Sequence, residues 1–579
     1  MTAGRILLQS CIAASALCIC AVPAAAQETS ASPGVLLLSE QADGARVENV
    51  SVRLGQSSGS PDRDQEAVAL VQRSASTLDG QPFDSLEIRT LVARLERSGT
   101  VSRVTYRLLP GTSVNSVRVL LTIDAKGAEQ AEAFPKGVLT GEVSDFPVLY
   151  QDGRSLLTAI VAGGVGVYSD GNPWFGEPDL FNEFSPIAGN LPGERASWTE
   201  GSLEIGAGGA TQLGDLQVYA FGALTGMKTW SVGQDIFRND TRNFDAIEKA
   251  YAGLLYADPA TGNELKLSIG RQTYTLNDGF LINMVKGSAN VGERGASYLG
   301  PRLTNDFSVL ADGRFGAWGF SFFYIDPNEL ELVESGSTFL GFNGKYNFNQ
   351  DVAMDATFIT IPESRSTFAN PDKLILEREG LNTIAGHLKW RNAGIEGLWL
   401  ETEAAYQFHP DYAMSAWAAY GTLGYIARDL PWTPSLSYRY AYFSGDDPAT
   451  TRYERFDPLL STGLGIWLQG LSFGKLTSNS NLETHRVQFN VAPVETLNVT
   501  FDYHSLRAPE LNNLGSNPAL ATLTSHDLGD EFTLSARWAI NRNLYFQGVA
   551  SYAVPGKALR NIGATDDWAT FQLSLYWGL

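Results

Sequence analysis

The sequence predicts an all-β protein, a transmembrane antiparallel β-barrel of about eighteen strands, behind a small N-terminal α+β domain of order β-α-α-β-β. Three observations support this fold class. The chain opens on a short apolar run, as exported proteins do. From Arg154 to the last residue, apolar and polar side chains alternate with a period of two. The connections between these segments are alternately short and long, as the two ends of a membrane barrel require.

The first 26 residues are predicted to be a secretory signal peptide. Arg5 precedes an apolar run at positions 6–22, and three small residues, Ala24 to Ala26, then offer a cleavage site. The run is too short for a membrane helix. All three cysteines lie inside it, so the rest of the chain offers no thiol for a disulfide or a metal centre. These cysteines are Cys11, Cys18 and Cys20.

Net charge and hydropathy limit the kinds of partner that the protein is expected to bind. The net charge is −21, which argues against nucleic acid and against a polybasic lipid anchor. Nothing in the sequence predicts a metal site or another cofactor. A mean hydropathy of −0.10 suits a soluble all-β protein and also a barrel whose every second residue faces a polar lumen. The persistence of the alternation over some 400 residues favours the barrel.

Residues 45–125 form the predicted N-terminal domain. An alternating strand around Val50 is followed by a helix at 64–75 and by a second helix that opens on the capping box 84–87. Two strands, around Tyr106 and Leu121, complete the order. This order resembles a single POTRA domain, the periplasmic module of polypeptide-transport barrels, and the resemblance implies a periplasmic protein partner. Residues 126–153 are predicted to be a linker.

Residues 154–579 form the predicted barrel, and its last segment shows the pattern most clearly. In ATFQLSLYWGL, residues 569–579, Phe571, Leu573, Leu575 and Trp577 share one parity, and polar or small residues occupy the other. Successive strand residues point to opposite faces, so one face is apolar to its end. In a barrel, lipid covers that face, and the first strand pairs with the last so that no edge remains.

Loop lengths set the predicted topology. Short turns are expected at 392–397, 429–433, 492–495 and 541–543, and longer outer loops at 238–242, 362–380, 508–530 and 556–566. An even strand count requires residues 444–482 to be a single outer loop, although Ile466 to Leu468 could pass for a strand. Residues 275–303 form another long outer loop. Both are expected to fold into the pore mouth.

Strand parity places several charged side chains in the lumen. Arg439, Arg486, Arg537 and Lys389 face inward and would lower the barrier for a polyanion. The alternative is that these cations pair with acids such as Glu401, Glu403 and Asp502 and stiffen the wall. Asp502 and His504 share a lumenal face, but no Ser-based nucleophile accompanies them, so an enzyme is not expected.

An ordered set of motifs across the barrel resembles the alginate export family of outer-membrane barrels. The three segments are LSIGRQ (267–272) with NDG (277–279), YAYFSGDD (440–447) with FDPL (456–459), and LGDEF (528–532) leading to the closing strand. The resemblance implies export of an anionic, alginate-like polysaccharide across the outer membrane. The residues carried by these motifs are Gly270, Arg271, Gln272, Asp278, Gly445, Asp446, Asp447 and Phe456.

Two groups of motif residues have open interpretations. Arg271 shares the parity of Leu267 and Ile269, which face lipid, so we place it at the rim, where a charge costs little. Asp446 and Asp447 would pin the loop over the pore through a salt bridge or a divalent cation, or they form a solvated turn. Asp457 has the same two interpretations.

The sequence therefore predicts a channel in the outer membrane of a Gram-negative cell, with its N-terminal domain in the periplasm. Its surroundings would be the lipid bilayer and lipopolysaccharide, and its cargo an anionic polysaccharide. A general porin for small solutes and a POTRA-assisted polypeptide translocator are the alternatives. Transport direction, pore size and the periplasmic partner are not encoded in any recognisable pattern.

Overall fold

The computed structural model describes most of residues 45–578. Positions outside the description are 77, 99, 112–115, 127–146, 153, 183–190, 192, 215–216, 239, 259–260, 262, 284–293, 300–303, 332–333, 350, 462–466, 495 and 542. The predicted signal peptide and Leu579 also lie outside the described residues. Within them, no helix has both the length and the apolar character needed to cross a membrane.

The N-terminal module (residues 45–125) has the predicted element order. Its elements are β1 (Arg46–Gln56), α1 (Pro61–Ala75), α2 (Ser85–Arg97), β2 (Val101–Pro110) and β3 (Ser116–Ala125). The sheet order is β1-β3-β2, with β1 parallel and β2 antiparallel to β3. Helix α1 begins at Pro61, three residues before the predicted start, because proline suits the first turn of a helix. Ile88, Leu91 and Leu95 are buried against the sheet, as their helical spacing predicts.

The rest of the chain forms the predicted barrel, a closed antiparallel cylinder of eighteen long strands in the described residues. A two-residue hairpin, β14 (Thr367–Phe368) and β15 (Leu376–Glu377), lies in one loop outside the cylinder. The barrel strands are β5 (Ser155–Gly171), β6 (Arg195–Gln212), β7 (Val218–Gln234), β8 (Arg242–Asp258), β9 (Asn263–Arg271), β10 (Phe307–Phe315), β11 (Trp318–Asp326), β12 (Thr338–Asn347), β13 (Val352–Glu363), β16 (Asn382–Trp390), β17 (Leu398–Phe408), β18 (Ala416–Ile426), β19 (Ser435–Phe443), β20 (Leu482–Val494), β21 (Leu497–Arg507), β22 (Asp527–Asn541), β23 (Leu544–Pro555) and β24 (Trp568–Gly578).

The barrel closes where β24 pairs with β5, from Ala569 opposite Gly171 to Gly578 opposite Ala162. Phe571 is 39% exposed on the outer face, while Thr570, Gln572 and Ser574 are buried on the inner one. The apolar row of the last strand therefore faces outward, as its parity predicts. A short strand, β4 (Val148–Gln151), lies within the predicted linker and also pairs with β5.

The same inside–outside pattern holds along the wall. In β19, Leu436, Tyr438 and Tyr440 are 56%, 45% and 37% exposed, whereas the alternate residues Arg439 and Ala441 are buried. An outer surface of large apolar and aromatic side chains is what a lipid environment requires. The barrel thus places its polar side chains in the lumen.

The two ends of the barrel differ in their connections. At the short-turn end, strands are joined by segments such as 316–317, 391–397 and 542–543. At the long-loop end, residues 272–306 and 444–481 each connect two neighbouring strands, and we call them the first and second inward loops. Trp467 and Leu468 are not in a strand, while Ile466 lies outside the described residues, and the predicted loop of 444–482 ends one residue earlier because Leu482 begins β20. Two short helices, α3 (Pro178–Asn182) and α4 (Lys557–Arg560), lie in other long-loop connections, where the sequence predicted no helix.

The long-loop half of the lumen contains a hydrophobic core. Phe280 of the first inward loop packs on Trp467 of the second, with ring centroids 4.9 Å apart, and on Tyr420 of β18 at 5.1 Å. The loops also pair with each other, where Leu460 N donates to the Leu281 carbonyl at 3.1 Å. Alternation alone predicts a water-filled lumen; here loop side chains occupy this half of it.

We expect Gly163→Ala to weaken barrel closure. A Cβ on Gly163 would lie 2.4 Å from the Trp577 ring and 2.8 Å from the Ser202 carbonyl oxygen. The closing ladder between β5 and β24, which we call the seam, therefore has no space for it. Overpacking of this kind costs about 1–3 kcal/mol. The measurement is the temperature at which the folded band converts to the unfolded band in heat-modifiability gels.

Gly171→Ala is the matched control at the same seam, because its Cβ would meet only Ala569, at 4.0 Å. Equal conversion temperatures for the two variants would contradict the proposed role of Gly163.

Candidate functional site

A row of lumenal side chains crosses seven neighbouring strands. Direct cross-strand partners share a face of the sheet, so residues in register form a continuous row on the inner wall. The row runs through Lys389, Glu401, Thr422, Arg439, Arg486, His504 and Glu531, on β16 to β22. Five of the residues that sequence parity placed in the lumen therefore stand in one row: Lys389, Glu401, Arg439, Arg486 and His504.

Arg439 and Arg486 lie directly opposite each other on β19 and β20. The Arg439 guanidinium is stacked over the Trp467 ring of the second inward loop, 4.2 Å from its centroid. Arg486 binds Asp502 through both Nε and Nη2, each 2.7 Å from the same carboxylate oxygen. Two adjacent cations are thus held by different means. Asp502 forms an ion pair with one, and the Trp467 ring stacks on the other.

Arg537 lies in a different layer of the lumen. It is six positions along β22 from Glu531, which is roughly 20 Å at the usual rise of a strand. Its Nη2 donates to Asn498 Oδ1 at 2.9 Å and to Thr500 Oγ1 at 3.0 Å. Parity predicts Arg537 on the inner wall but cannot show that it occupies another layer than Arg439 and Arg486.

A chain of polar contacts starts at Glu401. Its Oε1 lies 3.2 Å from His387 Nε2, and His387 Nδ1 lies 2.7 Å from Asp355. Asp355 in turn accepts a hydrogen bond from Asn277 of the first inward loop, at 2.8 Å. Glu401 also accepts from Arg46 of the N-terminal module. The acid that sequence analysis offered as a partner for lumenal arginines instead joins the module to the wall.

Lys389 and Glu403 do not pair with the lumenal arginines. Lys389 lies near Gly80 of the module, with its Nζ 3.7 Å from the position that a Cβ there would take. Neither Lys389 nor Glu403 makes an ion pair with another described residue. His504 is buried, and neither of its ring nitrogens has a partner in the described structure, so it does not form a pair with Asp502.

Two buried glutamates hold the inward loops. Glu531 of β22 accepts backbone N–H bonds from Leu471, Ser472 and Phe473 in the second inward loop. Glu200 of β6 accepts the N–H groups of three consecutive residues in the first, Ser297 to Leu299, at 2.8–2.9 Å. Both side chains are fully buried. A buried carboxylate requires such donors, so each loop satisfies the charge that fixes it.

Sequence analysis missed the role of both glutamates. Glu531 lies inside the quoted motif LGDEF, but the sequence analysis predicted no role for it. The available signal was the pair of long loops, because a loop folded into a lumen must find acceptors for its own N–H groups.

The first family motif lies at the outer end of β9. Gly270 has a φ of +125°, a region that favours glycine, and a Cβ there would lie 2.3 Å from the Ala250 carbonyl oxygen. Arg271 is the last residue of β9 and contacts Asp306 beside β10. Gln272 is buried, and its carbonyl accepts the Asn305 N–H at 3.0 Å. Arg271 therefore lies at the long-loop rim, with its charge met by a carboxylate.

Asp278 continues this motif into the lumen. It accepts a hydrogen bond from the Tyr420 hydroxyl of β18 at 2.7 Å and one from the Phe280 N–H at 3.1 Å. It thereby fixes the tip of the first inward loop to the opposite wall.

The second family motif opens the second inward loop. Gly445 is needed because a Cβ would lie 2.1 Å from Asn481 Oδ1. Asp446 accepts from the Glu454 N–H at 3.0 Å and from Asn512 at 3.2 Å. Burial raises the pKa of Asp446, although the Glu454 N–H bond acts in the opposite direction. Asp447 is an exposed turn residue that caps the Ala449 N–H at 2.9 Å.

The end of this motif lies deeper in the loop. Phe456 is buried against Phe443, with ring centroids 6.0 Å apart. Asp457 binds Arg378 with two hydrogen bonds, of 2.7 and 2.8 Å, and so joins two outer loops. The described residues contain no group of three His, Cys, Asp or Glu side chains that could hold a metal ion. Loop pinning by a salt bridge thus occurs at Asp457, while Asp447 forms a solvated turn.

The N-terminal module occupies the short-turn end of the lumen. Arg391 Nη1 and Nη2 each lie 2.7 Å from an oxygen of Asp79, and Lys266 lies 2.8 Å from Glu87. On the opposite wall, Ala539 and Tyr545 pack against the module's hydrophobic core. The module thus contacts strands on both sides of the barrel.

These features define a class of protein. A closed barrel with an apolar exterior, a polar inner wall and inward loops is an outer-membrane channel. The alginate export family matches residues 214–569, which is most of the barrel, and the chain belongs to that family. The members of this family are transport channels and not enzymes.

Solved structures with a similar fold include three porins. OccK5 (OpdH) of Pseudomonas aeruginosa is 11% identical, with 73% of this chain and 98% of that chain covered and a TM-score of 0.43. OccAB1 of Acinetobacter baumannii is 10% identical, with 73% and 96% covered and a TM-score of 0.45. OccK11 (OpdR) of P. aeruginosa is 13% identical, with 73% and 96% covered and a TM-score of 0.41. Comparison with curated proteins gives no match.

We expect Glu531→Gln to loosen the second inward loop. The amide would present its own N–H groups to the backbone donors of Leu471 to Phe473, and each bond to a charged group contributes about 1.5–3 kcal/mol. Limited proteolysis in detergent, read by mass spectrometry, should show faster cleavage within residues 444–481.

Glu483→Gln is the matched control, because the ion pair of this partly exposed carboxylate within the described residues is with His485, at 3.4 Å. If both variants are cleaved at the wild-type rate, Glu531 does not hold the loop.

Proposed function

We propose that this channel exports an anionic polysaccharide of the alginate type. The observation that carries the proposal is the adjacent pair Arg439 and Arg486, which project from neighbouring strands into a lumen narrowed by two inward loops. A cation held where water is scarce lowers the barrier for a passing carboxylate. The family to which the barrel belongs is described as alginate export, which supports the same substrate class.

The two arginines would contribute unequally. Asp502 forms an ion pair with Arg486, whereas Arg439 stacks on the Trp467 ring of the second inward loop, where that loop narrows the lumen. We therefore expect a uronate carboxylate to meet mainly Arg439. Arg537, in its separate layer nearer the short-turn end, would act at an earlier point of the path.

We expect Arg439→Gln to reduce anion selectivity in planar bilayers and to weaken block of the current by tetragalacturonate several-fold. The double variant Arg486→Gln/Asp502→Asn removes a neutral ion pair without leaving a buried charge, so it should change selectivity much less. The reversal potential in a salt gradient and the dose dependence of block are the measurements.

Arg428→Gln and Arg452→Gln, both exposed in connections, provide surface controls. If Arg439→Gln leaves selectivity and block unchanged in a folded barrel, the pore does not read the substrate's charge, and a general solute porin is the better description.

We also propose that the module is a POTRA-like domain in the periplasm that recruits a protein of the export pathway. Its β1 is an edge strand of the sheet. The start of this edge pairs with residues 80–83, and the Glu48 carbonyl accepts from Arg391, but the part of the edge beyond Glu48 pairs with no other described strand and could take an incoming one. A polypeptide can add to such an edge through backbone hydrogen bonds, and a polysaccharide cannot.

Deletion of residues 47–124 should leave a heat-modifiable barrel and abolish recovery of the periplasmic partner in pull-downs from cells. A polysaccharide-synthesis or assembly protein among the lost partners supports export. Recovery of an unfolded secretory polypeptide by the full chain would instead favour the translocator.

A further inference from the structure

Ion pairs connect the N-terminal module to the barrel wall. On the module, the acids Asp79, Asp84 and Glu87 face the wall. On the wall, Arg391 and Lys266 meet them, with Lys266 lying 2.8 Å from Glu87 and 3.5 Å from Asp84. These contacts come from β9 and from the turn after β16, so they hold the module at separate points of the circumference.

Two contacts have the reverse polarity. Arg46 of β1 binds Glu401 of β17, and Arg94 of α2 lies 3.7 Å from Glu264 of β9. The Arg46 and Arg94 side chains are only 13% and 11% exposed. Such mixed polarity fixes one orientation of the module, because a rotated module would bring like charges together.

The partners of the module are lumenal side chains, not rim residues alone. Glu401 is the fourth residue of β17, roughly 10 Å along the strand from its short-turn end. Lys266 is likewise the fourth residue of β9. The module therefore lies within the barrel cross-section, where any solute must pass.

Electrostatics keep this attachment charged at neutral pH. Burial opposes ionisation of Asp79, but the hydrogen bonds from Arg391 and the charges of Lys389 and Lys345 outweigh it, so the pKa of Asp79 lies below its ordinary value. The contact surface is also incomplete, since a cavity of about 490 Å³ separates the module from wall residues that include Lys345 and Lys389. Apolar packing joins the two at Ala539 and Tyr545, but an interface held largely by ion pairs around a cavity is easier to release than a fully packed apolar one.

We propose that the N-terminal module is a plug: seated as in this structure it closes the short-turn end of the pore, and the channel conducts fully only when the module leaves this seat. The proposal goes beyond the proposed function, because it holds for any solute that the barrel carries. The bidentate pair of Asp79 and Arg391 is the attachment best suited to a test, since both groups lie near the rim and are 25% and 32% exposed.

The experiment is a charge swap with conductance as the readout. Asp79→Arg and Arg391→Asp each place like charges together and should raise single-channel conductance in potassium chloride several-fold. The double variant Asp79→Arg/Arg391→Asp restores an attractive pair and should return conductance towards the wild-type level. Glu66→Gln and Arg63→Gln, both on exposed parts of α1, should leave it unchanged.

A crosslink reports the position of the module independently. Arg314 Nη1 donates to Ser76 Oγ at 2.8 Å, so cysteines at these two positions can be joined by a short bismaleimide, and the predicted mature chain has no other thiol. Crosslinking should proceed readily in the wild-type background and more slowly in each single swap. In either single swap, the crosslinked fraction should conduct at the wild-type level.

Two results would overturn the plug. One is a single swap that lowers the crosslinking rate but leaves conductance unchanged. The other is a single swap whose crosslinked channel conducts as well as its uncrosslinked form. The plug and the export proposal can fail separately. If conductance responds to the swaps but tetragalacturonate neither blocks the channel nor passes through it, the plug is supported and a polyuronate substrate is ruled out.

Discussion

The structure depends on the requirement that every backbone N–H and C=O within lipid be hydrogen-bonded by the protein itself. The ladder between β5 and β24 meets this requirement by closing the cylinder, and it leaves no free edge in the long strands described. Closure in turn dictates the side-chain pattern, because one parity must suit lipid and the other must fill or line the lumen. The dense aromatic rows outside and the buried charges inside are two consequences of one geometric condition.

Within the lumen, the same need for partners organises the polar groups. Glu200 and Glu531 are charges that a dry interior would exclude, and the backbone of an inward loop satisfies each of them. Glu401 is satisfied by His387 and by Arg46, and thereby connects the module, the wall and, through Asp355, the first inward loop. The barrel interior is thus closer to the core of a soluble domain than to an open pore, with the passage left between fixed elements.

The period-two alternation in the sequence was sufficient to predict the barrel, because lipid outside the wall and a polar lumen inside it require apolar and polar side chains to alternate along each strand. It placed Arg439, Arg486 and Arg537 on the inner wall and identified residues 444–482 as one loop. It could not show that Arg537 occupies another layer, because depth depends on strand register, which is set by turns and closure and not by parity. Nor could it show that Trp467 lies on Arg439, or that Glu401 binds the module, since both contacts join segments far apart in the chain.

The seam also has a consequence for assembly. The module completes its sheet within residues 46–125, whereas the seam must bring together strands from opposite ends of the barrel sequence. Contacts between near neighbours in the chain form faster than contacts between distant ones. The module can therefore complete its sheet before the last pair of strands joins. Ala539 and Tyr545 of the late strands β22 and β23 then meet a surface that is already folded. Neither step requires the other, because the module's sheet and the closing ladder of the barrel share no strand.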